Sequence, residues 1–120
     1  MKIRHCKQSD SNIICNIYNY YIKNTVITFE ETSVTNEIIS QRIKQYTKAY
    51  PWIVVENEIG QVVGYAYATQ FAQKTAYKHS VEITVYLDNA FLGKGYGSIL
   101  YKELLSLLSE THIHSVIAGI

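Results

Sequence analysis

Apolar positions along this chain fall into two rhythms. Ile13, Ile14, Ile17, Tyr18, Tyr21 and Ile22 recur at helical spacing and form one apolar face, with Ser9 suited to cap the helix and Asn24 to end it. A second helix is predicted after Thr35, carrying Ile38, Ile39, Ile43 and Tyr46 on one face and closed off by Pro51. A third carries Ile99, Leu100, Leu104, Leu107 and Leu108. The other rhythm is extended and β-branched. It predicts strands at Lys2–Cys6, Thr25–Phe29, Trp52–Glu56, Gln61–Thr69, His79–Leu87 and Ser115–Ile120. The turn Asn57-Glu58-Ile59-Gly60 joins two of them, with Gly60 available for a left-handed conformation.

The order is β-α-(β)-α-β-β-β-α-β. It predicts a mixed α/β sheet with antiparallel central strands, helices on both faces and a terminal β-α-β unit whose strands run parallel. Residues 1–120 are expected to form one domain. With 48% apolar and 18% charged residues, a packed core is expected. The eleven tyrosines read mostly as core-edge residues, ring buried and hydroxyl wet.

Charge and composition then exclude several classes. The net charge is +1 and no basic stripe is present, which argues against a nucleic-acid surface. The first residues, MKIRHCKQSD, carry no apolar leader, and no apolar run reaches the length of a membrane span. A soluble, cytoplasmic protein is expected. Cys6 and Cys15 have no metal or redox spacing and read as small buried hydrophobes. His5, His79, His112 and His114 share no common interval, so no metal is expected.

The informative stretch is VYLDNAFLGKGYGSILYKELL: a strand, a short loop, clustered glycines and a helix. Glycines at a helix start leave its first N–H groups unobstructed, and those donors with the helix dipole form an anion site. Taken alone, Gly93, Gly95 and Gly97 equally suit a tight strand-to-helix turn. A Walker loop is excluded because Lys94 precedes the critical glycine. A dinucleotide fingerprint fits poorly, since the third glycine falls one position early and Ser115–Ile120 holds no acid.

The segment Leu92-Gly93-Lys94-Gly95-Tyr96-Gly97 resembles the signature motif of the GNAT N-acetyltransferases, a strand followed by Q/R-x-x-G-x-G/A at a helix start. Leu92 stands where Gln or Arg is usual. The resemblance runs over nearly the whole chain and narrows to the phosphinothricin and methionine sulfoximine acetyltransferases. It is carried by IYNYYIKNTVITFEET, GQVVGYAYATQF and YKHSVEITVYL as well as the glycines. It implies a GNAT-like fold that transfers acetyl from acetyl-CoA to the amine of a small amino-acid-like molecule. Gly93, Lys94, Gly95, Tyr96, Gly97 and Ser98 would hold the pyrophosphate. Val85, Tyr86 and Leu87 would pair through their backbone with the pantetheine arm.

Amine acetylation needs a proton acceptor, because an ammonium has no lone pair to attack with. Strand alternation puts Glu82 on the face of Ser80 and Thr84, opposite Val81, Ile83 and Val85. That pattern suits a pocket wall and a solvent-facing edge equally; the resemblance assigns Glu82 as the general base. It also puts Phe29 and Glu31 beside the substrate, although Phe29 reads as well as a core anchor and Glu31 as a solvated charge. Ala72 occupies a position where the group often carries Arg, leaving Lys74 or Lys78 as a point charge in place of a fork.

The family pattern continues past Ile120 with a helix carrying an Asn and a Tyr, then closing strands, so the fold is expected to lack its C-terminal elements. An apolar parallel strand left at a sheet edge invites a second chain, and a homodimer is expected. A non-catalytic CoA-binding fragment and a strand-edge assembly fragment of the same fold remain as alternative readings.

Overall fold

The computed structural model describes residues 1–24, 32–70, 80–109 and 115–119. The bracketed strand Thr25–Phe29 lies outside them. The described elements are β1 (Lys2–His5), α1 (Ser11–Asn24), α2 (Asn36–Tyr46), β2 (Trp52–Glu56), β3 (Val62–Gln70), β4 (Ser80–Leu87), α3 (Tyr96–Leu108) and β5 (Ser115–Gly119). The strands form one five-stranded sheet in the order β1-β2-β3-β4-β5. Neighbours are antiparallel from β1 to β4, and β5 runs parallel to β4, as a crossover through α3 requires.

Alternation along the strands sends their side chains to two cores. Trp52, Val54, Tyr65 and Tyr86 meet Ile14, Ile17, Tyr21, Ile39 and Ile43 of α1 and α2. Ile53, Val55, Ala66, Ala68, Val81 and Ile83 meet Leu100, Leu104 and Leu108 of α3 on the other face. Helices therefore cover both faces, as expected. One irregularity adjusts the register. Val55 pairs with Gly64 and Glu56 with Val62, so Val63 is an extra residue in β3 and turns toward α3 like its neighbour Gly64.

Thr35 caps α2 as expected, its hydroxyl accepting from the Ile38 N–H at 3.3 Å. That cap sets the helix phase so that Ile39 and Ile43, four residues apart, point inward. Ile38, expected on the same face, is turned about 100° away and is 39% exposed. Asn57 closes the β2–β3 turn by accepting from the N–H groups of Ile59 and Gln61, with Gly60 at φ 82°. Cys15 is buried and Cys6 half-buried, both as free thiols. Burial, helped by the nearby Asp10, pushes Cys6 up to about 12, so it stays a neutral thiol.

The helix start near Ser9 differs from expectation. A 3-10 turn, Gln8–Asp10, leads into α1, and Ser9 is exposed while Asp10 is buried. Arg4 donates to both Asp10 oxygens at 2.9 Å and to Glu56 at 2.6 Å, and the Lys7 N–H donates to Asp10 at 2.8 Å. This cluster ties β1, β2 and the entry to α1 together. Burial alone raises the Asp10 pKa. The Arg4 and Lys7 hydrogen bonds and the Arg4 charge outweigh it, and the net shift is downward. Asp10 therefore contributes stability that is complete above the ordinary carboxylate range and is lost as the pH falls through its depressed value. Urea midpoints should fall between pH 6 and pH 3 in the wild-type protein, and Asp10→Asn should flatten that fall while lowering the neutral-pH midpoint.

Candidate active site

β4 positions the candidate groups. Val81 and Ile83 are 1% and 0% exposed against α3, while Glu82 and Thr84 are half-buried on the opposite face. Across the ladder, Thr69 stands opposite Glu82, Tyr67 opposite Thr84 and Tyr65 opposite Tyr86. Glu82 thus continues a row that becomes aromatic toward the far end of the strand. Trp52 and Tyr67 stack at 4.1 Å between ring centroids, and Tyr65 and Tyr86 lie 5.7 Å apart. Burial raises the phenol pKa values of Tyr65 and Tyr67, so both remain protonated at neutral pH. The tyrosine rings on the Glu82 face are therefore neutral, and Arg42 lies among them beside Tyr65 and Tyr67.

The edges of β4 are used differently along its length. The ladder to β5 runs from the Ser80–Ser115 pair to Thr84–Gly119, and Val85–Leu87 continue beyond it with β3 as their strand neighbour. The Asp88 N–H donates to the Val63 carbonyl at 2.8 Å, so alternation directs the N–H and C=O of Leu87 and Val85 away from β3. Tyr86 is the reverse: its backbone faces β3 and its ring is 5% exposed inside the aromatic wall. The outward Leu87 carbonyl accepts from the Tyr21 hydroxyl at 2.5 Å.

After Leu87 the chain makes a 3-10 turn, Asn89–Phe91, capped by Asp88, whose side chain accepts from the Ala90 N–H at 2.9 Å. The glycine loop follows. Gly93 has φ 77° and Gly95 has φ 86°, and a Cβ at either would meet nothing within 4 Å. These glycines are demanded by backbone conformation rather than by crowding, and the space before them is open. Gly95 is the N-cap of α3 and no side chain supplies a capping hydrogen bond. The first N–H groups of an α-helix have no partner within it, and with the helix dipole such a start suits an anion. Lys94 and Ser98 are exposed beside it, and Tyr96 packs edge-on to Phe91.

The structure therefore gathers Val85, Leu87 and Gly93–Ser98 at one end of β4, with Glu82 further back along the same strand. Phe29, Glu31 and Lys74 lie outside the described residues, as do Ala72, Lys78, His79, His112 and His114. Asn19 fastens the chain at Val34, exchanging two hydrogen bonds with its backbone at 2.8 and 2.9 Å. Sequence reasoning missed the Tyr21–Leu87 bond. Tyr21 reads as one more apolar-face residue of α1, and the target of its hydroxyl depends on how α1 sits on the sheet. Among the described residues no group of three His, Cys, Asp or Glu side chains is placed to hold a metal.

Comparison with known proteins agrees with this geometry. A family model described as an acetyltransferase (GNAT) domain matches residues 3–120. The phosphinothricin N-acetyltransferase of Streptomyces viridochromogenes is 33% identical over 120 residues, covering 100% of this chain and 65% of the relative. The solved structure of a phosphinothricin acetyltransferase from Sinorhizobium meliloti, in complex with AcCoA, superposes with a TM-score of 0.92 at 35% identity, over 98% of this chain and 64% of that one. A ribosomal-protein-alanine N-acetyltransferase from Brucella melitensis superposes with a TM-score of 0.93 at 36% identity, over 100% of this chain and 74% of that one. The chain belongs to the GNAT acetyltransferase family, and it spans just under two thirds of the first two of these proteins.

The glycines of the loop should respond differently to a methyl group. Gly95→Ala forces a left-handed alanine and should cost about 1–2 kcal/mol. At Gly97 a Cβ would sit 3.6 Å from Leu87 Cδ1, an ordinary contact, inside the helix. Gly97→Ala should be neutral or stabilising by up to about 1 kcal/mol. Urea unfolding of both variants measures the contrast.

Proposed function

We propose that the chain binds acetyl-CoA along the outer edge of β4 and transfers its acetyl group to the amine of a small amino-acid-like substrate. The observation that carries this reading is the start of α3, without a side-chain cap and behind two left-handed glycines, a few residues after the strand that bears Glu82. The residues suit the coenzyme. The N–H groups from Gly93 to Ser98 converge on a diphosphate, and the outward backbone of Val85 and Leu87 continues as a partner for an amide-bearing arm. Tyr86, with its backbone turned into the β3 ladder, supports that edge by packing instead. Leu87 and Glu82 are five residues apart, about 17 Å along a strand. An extended pantetheine chain of a dozen bonds reaches roughly 14 Å before its acetyl group, so a thioester anchored at the loop ends near Glu82.

Acetyl-CoA supplies an activated acyl group as a thioester. The protein's own task is proton management and alignment. An aliphatic amine is nearly all ammonium at neutral pH, and Glu82, directly or through one water, accepts its proton so that the nitrogen lone pair can form the new C–N bond. The C–S bond breaks, the acylated nitrogen gives up its second proton to solvent, and the thiolate takes one from solvent as it leaves, for a net release of one proton. By the resemblance, Phe29 and Glu31 complete the acceptor side, and Lys74, in place of the Arg that the family often carries, offers a point charge to a carboxylate.

We further propose a homodimer working in the cytoplasm. β5 is the outer strand of the described sheet, with β4 as its neighbour, and is available for a second copy. Among the described residues, no helix is long and apolar enough to cross a membrane. A non-catalytic coenzyme-binding fragment is the runner-up.

Calorimetric titration with acetyl-CoA should give saturable heat. Thiol release should then follow on adding phosphinothricin or methionine sulfone, with a peptide bearing an N-terminal alanine as the competing acceptor. Glu82→Gln should lower kcat by about 100-fold or more while leaving coenzyme affinity unchanged. Heat without thiol release from any acceptor favours the runner-up. Absence of heat removes the coenzyme site.

A further inference from the structure

The peptide unit between Leu87 and Asp88 is held from both sides. Its N–H, on Asp88, donates to the Val63 carbonyl of β3 at 2.8 Å. Its C=O, on Leu87, accepts from the Tyr21 hydroxyl at 2.5 Å, a link across 66 residues of sequence. Because a peptide unit is planar, two bonds on opposite sides fix its orientation. The Tyr21 ring is itself fixed: it is 8% exposed and packs 5.1 Å from the Tyr86 ring. The Leu87 side chain is seated from the other face, where a Cβ on Gly64 would come within 2.4 Å of its Cδ2 and one on Gly97 within 3.6 Å of its Cδ1.

The place of this clamp gives it a role. It lies past the last described β4–β5 register pair, Thr84–Gly119, on the part of β4 whose described strand neighbour is β3. It also lies one residue before Asp88, which caps the turn into the glycine loop. Without Tyr21 the Leu87 carbonyl would turn to whatever donor was nearest, and the strand edge would lose its fixed register with the loop while the loop itself kept its form.

From this geometry we infer that Tyr21 is a positioning residue for the coenzyme. Its hydroxyl orders the Leu87–Asp88 peptide so that the strand edge and the α3 N-terminus meet one extended ligand together. The inference rests on the acetyl-CoA reading of the site. It concerns a residue that need not touch the ligand.

Tyr21→Phe removes one oxygen and keeps the ring. It should weaken acetyl-CoA binding and raise its KM by about 10-fold, the scale of one lost hydrogen bond with a carbonyl left unpaired, while kcat stays within about twofold. Adenosine 3′,5′-bisphosphate, which lacks the pantetheine arm, should bind the variant and the wild type alike. A residue that merely stabilised the fold would shift the melting temperature without this split between the two ligands. Tyr20→Phe, on the exposed neighbour, serves as the unchanged control. Should Tyr21→Phe fold poorly, 3-fluorotyrosine at position 21, a stronger donor of nearly the same shape, should bind acetyl-CoA at least as tightly as the wild type; weaker binding contradicts the inference. Wild-type binding with equal binding by Tyr21→Phe overturns this inference alone, whereas absence of wild-type binding overturns the coenzyme reading with it.

Discussion

Three layers of the molecule meet at Leu87. Its carbonyl belongs to α1 through Tyr21, its following amide to β3 through Val63, and its side chain to the seam between Gly64 and Gly97 of α3. No one of these contacts is large: a net hydrogen bond is worth about 1 kcal/mol. Their effect is geometric. They decide where β4 stops being a strand, and so where the glycine loop and the α3 N-terminus stand relative to the rest of the strand. A site that reads a long flexible ligand needs its two ends in fixed register, and this junction supplies the register.

From that junction β4 divides its work by face and by edge. One face fills the α3 core with Val81 and Ile83, and the other presents Glu82 and Thr84 next to an aromatic wall. Among the described residues, the edge toward β3 is paired from Val81 to Leu87 and the ladder to β5 runs from Ser80 to Thr84. The same alternation that builds the core therefore also separates a candidate base from a candidate coenzyme track. Glu82 is reached from the α1 and α2 side, whereas the outward groups of Val85 and Leu87 lie in the plane of the sheet.

Much of this was legible in the sequence because it depends on local rules. The period-two pattern of HSVEITVYL gives the faces of β4, the Thr35 cap and Pro51 bracket α2, and the glycines of the loop mark left-handed backbone at Gly93 and Gly95. Local rules failed where a long-range partner decided the outcome. Asp10 is drawn inward by Arg4 on β1, which shifts the start of α1 away from Ser9. Ile38 lies next to buried Ile39, and only the way α2 rests on the sheet shows which of the two faces solvent. The Tyr21 hydroxyl finds its acceptor 66 positions away, a distance that no periodicity encodes. Phe29 and Glu31 rest on family resemblance, Lys74 on a departure from it at Ala72, and all three fall outside the described residues.

The central claim is that backbone amides at the end of β4 and the start of α3 together receive one ligand. Amide chemical shifts of the 15N-labelled protein, followed as coenzyme A is added, test it most directly. The account predicts that Leu87, Gly93, Gly95, Tyr96, Gly97 and Ser98 move together with a single saturation curve, while Lys2–His5 and Asn36–Tyr46 stay in place. Saturable shifts confined to β1 and α2, or none at all, would contradict it.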